Sequence, residues 1–207
     1  MSDLSPSDFG ESTSIPLSGV YPFFPLPDLI FFPGVLQPLR IFEPRYLQMI
    51  EDMLDSNGRL VLGTLLGDAR TQASEAPAAE RVGGLGELHD YRRLDNGQYL
   101  ILVHGKARVE IEETESDRMY RKVVASPIVD VPEFADEGQV RAEIKDAIES
   151  RAEDEIEIPE EMSTSQLNDM LMMHLRLSPP ELYKLYSVRD LEERVRGTLA
   201  EHATREP

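Results

Sequence analysis

The chain has 207 residues, 41% of them hydrophobic and 29% charged, a globular balance with enough length for one large domain or two small ones. Asp and Glu number 39 against 21 Lys and Arg, a formal charge of −18, so phosphate backbones and anionic bilayers are repelled over most of the surface. The absence of cysteine excludes a disulfide framework, a thiolate zinc site, an iron–sulfur cluster and a cysteine nucleophile.

Residues 1–19 carry Ser, Pro, Gly and the acids Asp3, Asp8 and Glu11; with little to bury, they are expected to form a disordered tail. No basic residue precedes Arg40, and no apolar run is long enough for a signal segment or a membrane span, which points to a cytoplasmic protein. From residue 20 the text becomes VYPFFPLPDLIFFPGVLQPLRIF, whose proline spacing forbids a helix. Residues 29–32 and 35–42 are expected to be consecutive extended segments around a turn at Pro33-Gly34. Glu43-Pro44 opens a helix, because proline is pre-organised for the first helical position. Tyr46, Met49, Ile50, Met53 and Leu54 follow at helical spacing, with Asn57-Gly58 at the end.

Residues 60–66 form a continuous apolar run suited to a buried strand, and residues 67–81, rich in Ala, Gly and acid, a long loop of the kind that is functional or disordered. Asp95-Asn96-Gly97 joins strand-like runs at 86–94 and 98–112, the strongest short-range hairpin signal. Residues 120–131 read as another strand, in which Pro127 argues for an edge or a bulge. Residues 132–162 then hold 12 acids and 3 bases, a net −9, and mark a boundary.

Beyond it the period is helical: Val140, Ile144, Ala147 and Ile148 share a face, followed by an acidic stretch. Ser163 and Gln166 make a capping box ahead of Leu167, Met170, Leu171, His174 and Leu175. Ser178-Pro179-Pro180-Glu181 opens a further helix with Leu182, Leu185 and Tyr186 inward, and a last helix carries Leu191, Val195 and Leu199. The expectation is an α+β chain: a tail over 1–19, a β-rich domain over 20–131, and a C-terminal helical bundle over 132–207.

A search for chemistry returns little. Gly105-Lys106-Ala107 lacks the spacing and the hydroxyl of a phosphate loop. His89, His104, His174 and His202 show no paired ligand spacing, although His89 and His104 can face each other across the hairpin. The run Glu153, Asp154, Glu155, Glu157, Glu160, Glu161 reads as a solvated face. No serine sits in a nucleophile elbow. No catalytic residue, cofactor or metal is therefore expected. What stands out is the front segment, where Tyr21, Phe23, Phe24, Phe31 and Phe32, joined by Phe42, fall within 22 residues. Strand alternation cannot bury both members of Phe23-Phe24 or Phe31-Phe32 from a one-sided sheet. Either a second layer covers them or a patch is exposed, and Tyr21, Phe23, Phe24, Phe31 and Phe32 are the candidate polypeptide-binding residues.

These residues also carry a family likeness. The stretch FPLPDLIFFPGVLQPLRIFEPRYLQMI over 24–50 resembles the opening of the Lon protease N-terminal, or substrate-binding, domain, especially its short stand-alone form. The likeness continues through LVLGTLL at 60–66 and VGGLGELHDYRRLDNGQYLILVHGKARVEI at 82–111 into the helical tail, over about residues 20–202. It implies a PUA-like β pseudobarrel with one packed helix, followed by a helical bundle. In full-length Lon the corresponding domain recognises unfolded or degron-bearing protein for an AAA+ motor and a Ser–Lys protease, and this sequence shows the motifs of neither. The resemblance thus implies a non-catalytic module whose partners are unfolded or misfolded proteins and peptides. It would take them on the front aromatics or in a groove between barrel and bundle. It would act alone, as an adaptor, or as an accessory subunit of an ATP-dependent protease. RNA binding, known for other PUA-like barrels, is the rival reading and is opposed by the charge of −18. The shared Pro25, Leu26, Pro33, Gly34, Pro38, Leu39, Phe42, Glu43, Pro44, Arg45 and Tyr46 read as structural. Arg40, Glu43 and Arg45 are placed to form an ion pair at the strand–helix junction.

Overall fold

The computed structural model describes residues 17–66, 77–152 and 156–205. Most of the expected tail, residues 67–76 of the expected loop and Glu153, Asp154 and Glu155 of the acidic run lie outside the described residues.

The β elements are β1 (Gly19–Pro27), β2 (Leu36–Ile41), β3 (Arg59–Leu65), β4 (Val82–Arg93), β5 (Tyr99–Thr114) and β6 (Arg121–Pro127); α1 (Pro44–Leu54) interrupts them after β2. Four helices follow: α2 (Glu137–Arg151), α3 (Thr164–His174), α4 (Pro179–Tyr186) and α5 (Leu191–Thr204). Among the described residues no helix is long and apolar enough to cross a membrane.

The sheet closes on itself because β5 is long enough to serve two neighbours on one edge. Its first half pairs with β2 (Leu36↔His104 to Ile41↔Tyr99) and its second half with β6 (Val109↔Pro127 to Thr114↔Lys122), while β4 runs along its other edge. β6 then pairs with β1, and β1 with β3 in parallel. The order β2-β5-β4-β3-β1-β6 with the added β5–β6 pairing is a pseudobarrel with β2 as its flap. The turn at Asn96-Gly97 behaves as its sequence demands, with Gly97 at φ 80°.

Two expectations are corrected. Residues 29–32, expected as an extended segment consecutive with 35–42, do not join the sheet. Asp28, at φ 56°, breaks β1, and Thr64 Oγ1 donates to Leu29 O at 2.7 Å, so the following residues lie across the sheet. That path needs glycine beneath it: a Cβ at Gly84 would overlap Phe31 O, and one at Gly105 would overlap Phe32 O. Nor is β6 an edge. It sits between β1 and β5, and Pro127 falls at its end, opposite Val109. The edge strand is β2, where Pro38 and the bond from Gln37 Nε2 to Pro38 O (3.1 Å) blunt the exposed backbone.

Three clusters form the core. Tyr21, Phe23, Val61, Leu85, Val109, Val123 and Ala125 fill the barrel interior. α1 lays Tyr46, Met49, Ile50 and Met53 on Phe24, Phe31, Leu60, Leu62 and Ile101, whereas Leu54, expected on that face, is exposed. The third cluster joins Phe32 and Val82 of the β part to Ile144, Ile148, Leu167, Leu171, Tyr186 and Val195 of the helices, so barrel and bundle share one interior. The capping box at Ser163 and Gln166 is present, and Ser178 N–H donates to Glu181 Oε2 at the start of α4.

Candidate polypeptide-binding site

The five front aromatics are not a surface. Tyr21, Phe23, Phe24, Phe31 and Phe32 are each at most 6% exposed. Phe23 points into the barrel and its neighbour Phe24 to the α1 side. The second layer that sequence left as one of two options is α1 together with the bundle. In this conformation these five side chains are covered, and of the front aromatics only Phe42, 59% exposed, lies on the surface. The ion pair at the junction joins Arg45 to Glu43 at 2.8 Å, while Arg40 Nε instead donates to Gln98 Oε1 at 2.9 Å.

A cleft of about 320 Å³ does lie between barrel and bundle. One wall is the segment 128–132 leaving β6, with Ile128, Asp130 and Pro132; facing it are Lys106 of β5 and the N-terminus of α3. Its floor is a polar clasp. Asp130 accepts from Arg108 Nη2 (2.7 Å), from Arg194 Nη1 and Nη2 (2.9 and 2.8 Å) and from Ser165 Oγ (2.6 Å). Arg108 also donates to Tyr186 O and, at 2.9 Å, to Val188 O. Both guanidiniums are buried, so their charge is tolerable only because Asp130 and backbone carbonyls meet it. α4 adds two phenols: Val82 N–H donates to Tyr183 Oη (2.9 Å) and Tyr186 Oη donates to Phe31 O (2.9 Å). Burial raises the pKa of both, that of Tyr183 to about 12.

Beside the clasp lies a second carboxyl. Asp169 is buried, 3.8 Å from Arg194, and burial pushes its pKa up to about 8; Arg108 opposes the rise and Asp130 adds to it. The geometry agrees, since Arg194 is already engaged by Asp130 and Asp169 Oδ1 has no hydrogen-bond partner. The carboxylate of Asp130, which accepts from Ser165 Oγ, is already engaged by both guanidiniums.

The histidines stay apart from this cleft. His89 and His104 do face each other, with ring centroids 6.3 Å apart, and Lys106 Nζ lies 3.1 Å from His104 Nδ1. Burial, then Lys106 and His89, lower the His104 pKa. Among the described residues no group of three His, Asp or Glu side chains is placed to hold a metal. His174 contacts Met170 O, and His202 Nδ1 accepts from Arg151 Nε at 2.7 Å. Sequence reasoning missed Arg108, Asp130, Asp169 and Arg194. They are distant in sequence, and none sits in a motif. The one local hint is a charged residue inside each of two apolar runs, Arg108 in β5 and Asp130 after β6.

Residues 20–201 match the family model described as the ATP-dependent protease La (LON) substrate-binding domain. The Lon protease of Brucella melitensis is 24% identical over 197 residues, covering 88% of this chain and 23% of that protein. The Lon protease of Azospirillum brasilense is 26% identical over 198 residues, 90% of this chain and 24% of that protein. The chain thus spans about a quarter of the length of these relatives. In fold it is similar to the crystal structure of a Lon N-terminal domain protein from Xanthomonas campestris, at TM-score 0.63 and 19% identity over 88% of this chain and 98% of that one. The N-terminal domain of Mycobacterium avium complex Lon protease gives TM-score 0.61 and 17% identity, over 89% and 98%.

Proposed function

This chain belongs to the Lon substrate-binding domain family, and from that premise we propose that it is a non-catalytic recognition module for unfolded or degron-bearing polypeptides, working in the cytoplasm. The observation that carries the reading is that the family match runs through barrel and bundle together. The clasp at Asp130 ties these two parts together beside a cleft. A cleft whose floor charges already satisfy one another gives a ligand little to ionise or to attack, and leaves backbone groups and aliphatic walls as the means of binding. The acidic surface, −18 overall, keeps such a binder soluble and favours basic clients. An array of overlapping peptides from several unrelated proteins tests this. Capture of apolar and basic segments by the folded chain is expected, and uniform failure across the array contradicts it.

A second reading, an adaptor or accessory subunit of an ATP-dependent protease, draws on the relatives, which are Lon proteases of which this chain matches 23 to 24%. Co-purification of such a protease with the chain from its native cell supports it. Recovery of the chain alone under conditions that preserve known protease complexes counts against it.

A further inference from the structure

The segment leaving β6 has a feature that neither the clasp nor the cleft uses. Ile128 N–H donates to Arg108 O at 2.9 Å, which carries the β5–β6 ladder past its last pair, Val109↔Pro127. Ile128 packs on the bundle core and Asp130 is pinned by Arg108, Arg194 and Ser165. Between and after these anchors, Val129 is 75% exposed and Val131 56%. Inward Ile128 and Asp130 alternating with outward Val129 and Val131 is the pattern of an extended chain, whose side chains two apart share a face.

The backbone is open as well. Ile128 directs its N–H to β5, and in an extended chain that turns the N–H and C=O groups of the residues at 129 and 131 to the opposite edge. On that edge β6 is covered by β1 only as far as Ala125, which pairs with Gly19 where β1 begins. Past it, no strand pairs with Val129 or Val131 among the described residues. Exposed sheet edges are ordinarily blunted by charge, proline or cover, as Pro38 and Gln37 do for β2. Here the two outward positions are both β-branched and apolar.

We infer that residues 128–131 are a docking edge on which an extended client segment adds as a strand, giving main-chain hydrogen bonds to Val129 and Val131 and packing alternate apolar side chains on the two valines. This rests on the polypeptide-binding reading above and names its substrate class: an extended run of alternating β-branched or aromatic residues with lysine or arginine at one end. The basic end follows from charge, since the edge runs directly into residues 132–162, which carry 12 acids and 3 bases, with Glu133 and Asp136 exposed.

The probe is a labelled peptide that alternates Val or Ile with Thr and ends in a run of Lys, titrated into the full chain by fluorescence anisotropy, with amide hydrogen exchange read at Val129 and Val131. Saturable binding is expected, with exchange at both amides slowed at least about tenfold. Val131→Pro, which removes one N–H, and Val129→Asp, which charges the face, should each weaken the peptide at least about tenfold. Both positions are exposed, and an unchanged melting temperature verifies the fold. Variants that bind as the parent does overturn the proposal. So do amides already protected in the free chain: concentration-independent protection means that residues 1–16 hold the edge, concentration-dependent protection that a second copy does. A chain that captures denatured protein but not this peptide overturns the proposed edge alone, whereas one that captures neither overturns the recognition reading beneath it.

Discussion

Replacing Asp169 by Asn separates a neutral buried acid from an ion-paired one. Burial holds the folded pKa at about 8 against an ordinary 3.8. Between those values the folded chain keeps a proton that the unfolded chain has released, so unfolding is favoured as pH rises and stability falls across that window. The slope is about 1.4 kcal/mol per pH unit and the full span about 6 kcal/mol. Above both values the two states titrate alike and the slope vanishes. Asn keeps the shape and cannot ionise. Asp169→Asn should therefore match the parent near pH 4 and exceed it by about 4 kcal/mol near pH 7. Urea unfolding at several pH values measures this, and taking the difference between the two proteins cancels the other carboxylates. A flat difference refutes the reasoning. So does a variant destabilised near pH 7 by the about 3 to 5 kcal/mol typical of a broken buried ion pair, because Asp169 would then be an ionised partner of Arg194.

Asp130→Ala strips the shared carboxylate from two buried guanidiniums and should cost about 3 to 5 kcal/mol in urea unfolding; a loss under about 1 kcal/mol would mean the clasp holds nothing together. Phe23→Ala empties a wholly buried site in the barrel and should cost about 3 to 5 kcal/mol. Phe42→Ala, on an exposed ring, should stay within about 0.5 kcal/mol, and equal effects would contradict the assignment of one to core and the other to surface. Single-stranded RNA at low salt should give no gel shift with a chain of net charge −18.

The parts of the fold legible in sequence are those specified locally. Gly97 sits at positive φ because an Asn-Gly hairpin requires it, and Pro44, Ser163 and Ser178 start helices with groups only a few residues away. Apolar composition marks residues 29–32 as extended but cannot distinguish a segment paired in a sheet from one lying across it. What decides is Thr64 and the open ground at Gly84 and Gly105, all distant in sequence. Pro127 suggested an edge for the same reason: β1, which covers β6, lies about a hundred residues earlier. The front aromatics could be narrowed to covered or exposed but not decided, since the covering layer includes α1 and the bundle. The clasp was illegible, because Arg108, Asp130 and Arg194 meet only after the barrel closes and the bundle docks.

The most direct test is a titration of the full chain against reduced, permanently unfolded casein, with the casein run on a gel afterwards. Saturable binding with the casein left intact, with and without ATP, is the expected result. No detectable association, or casein shortened by the pure chain, would contradict a protein that grips polypeptides without cutting them.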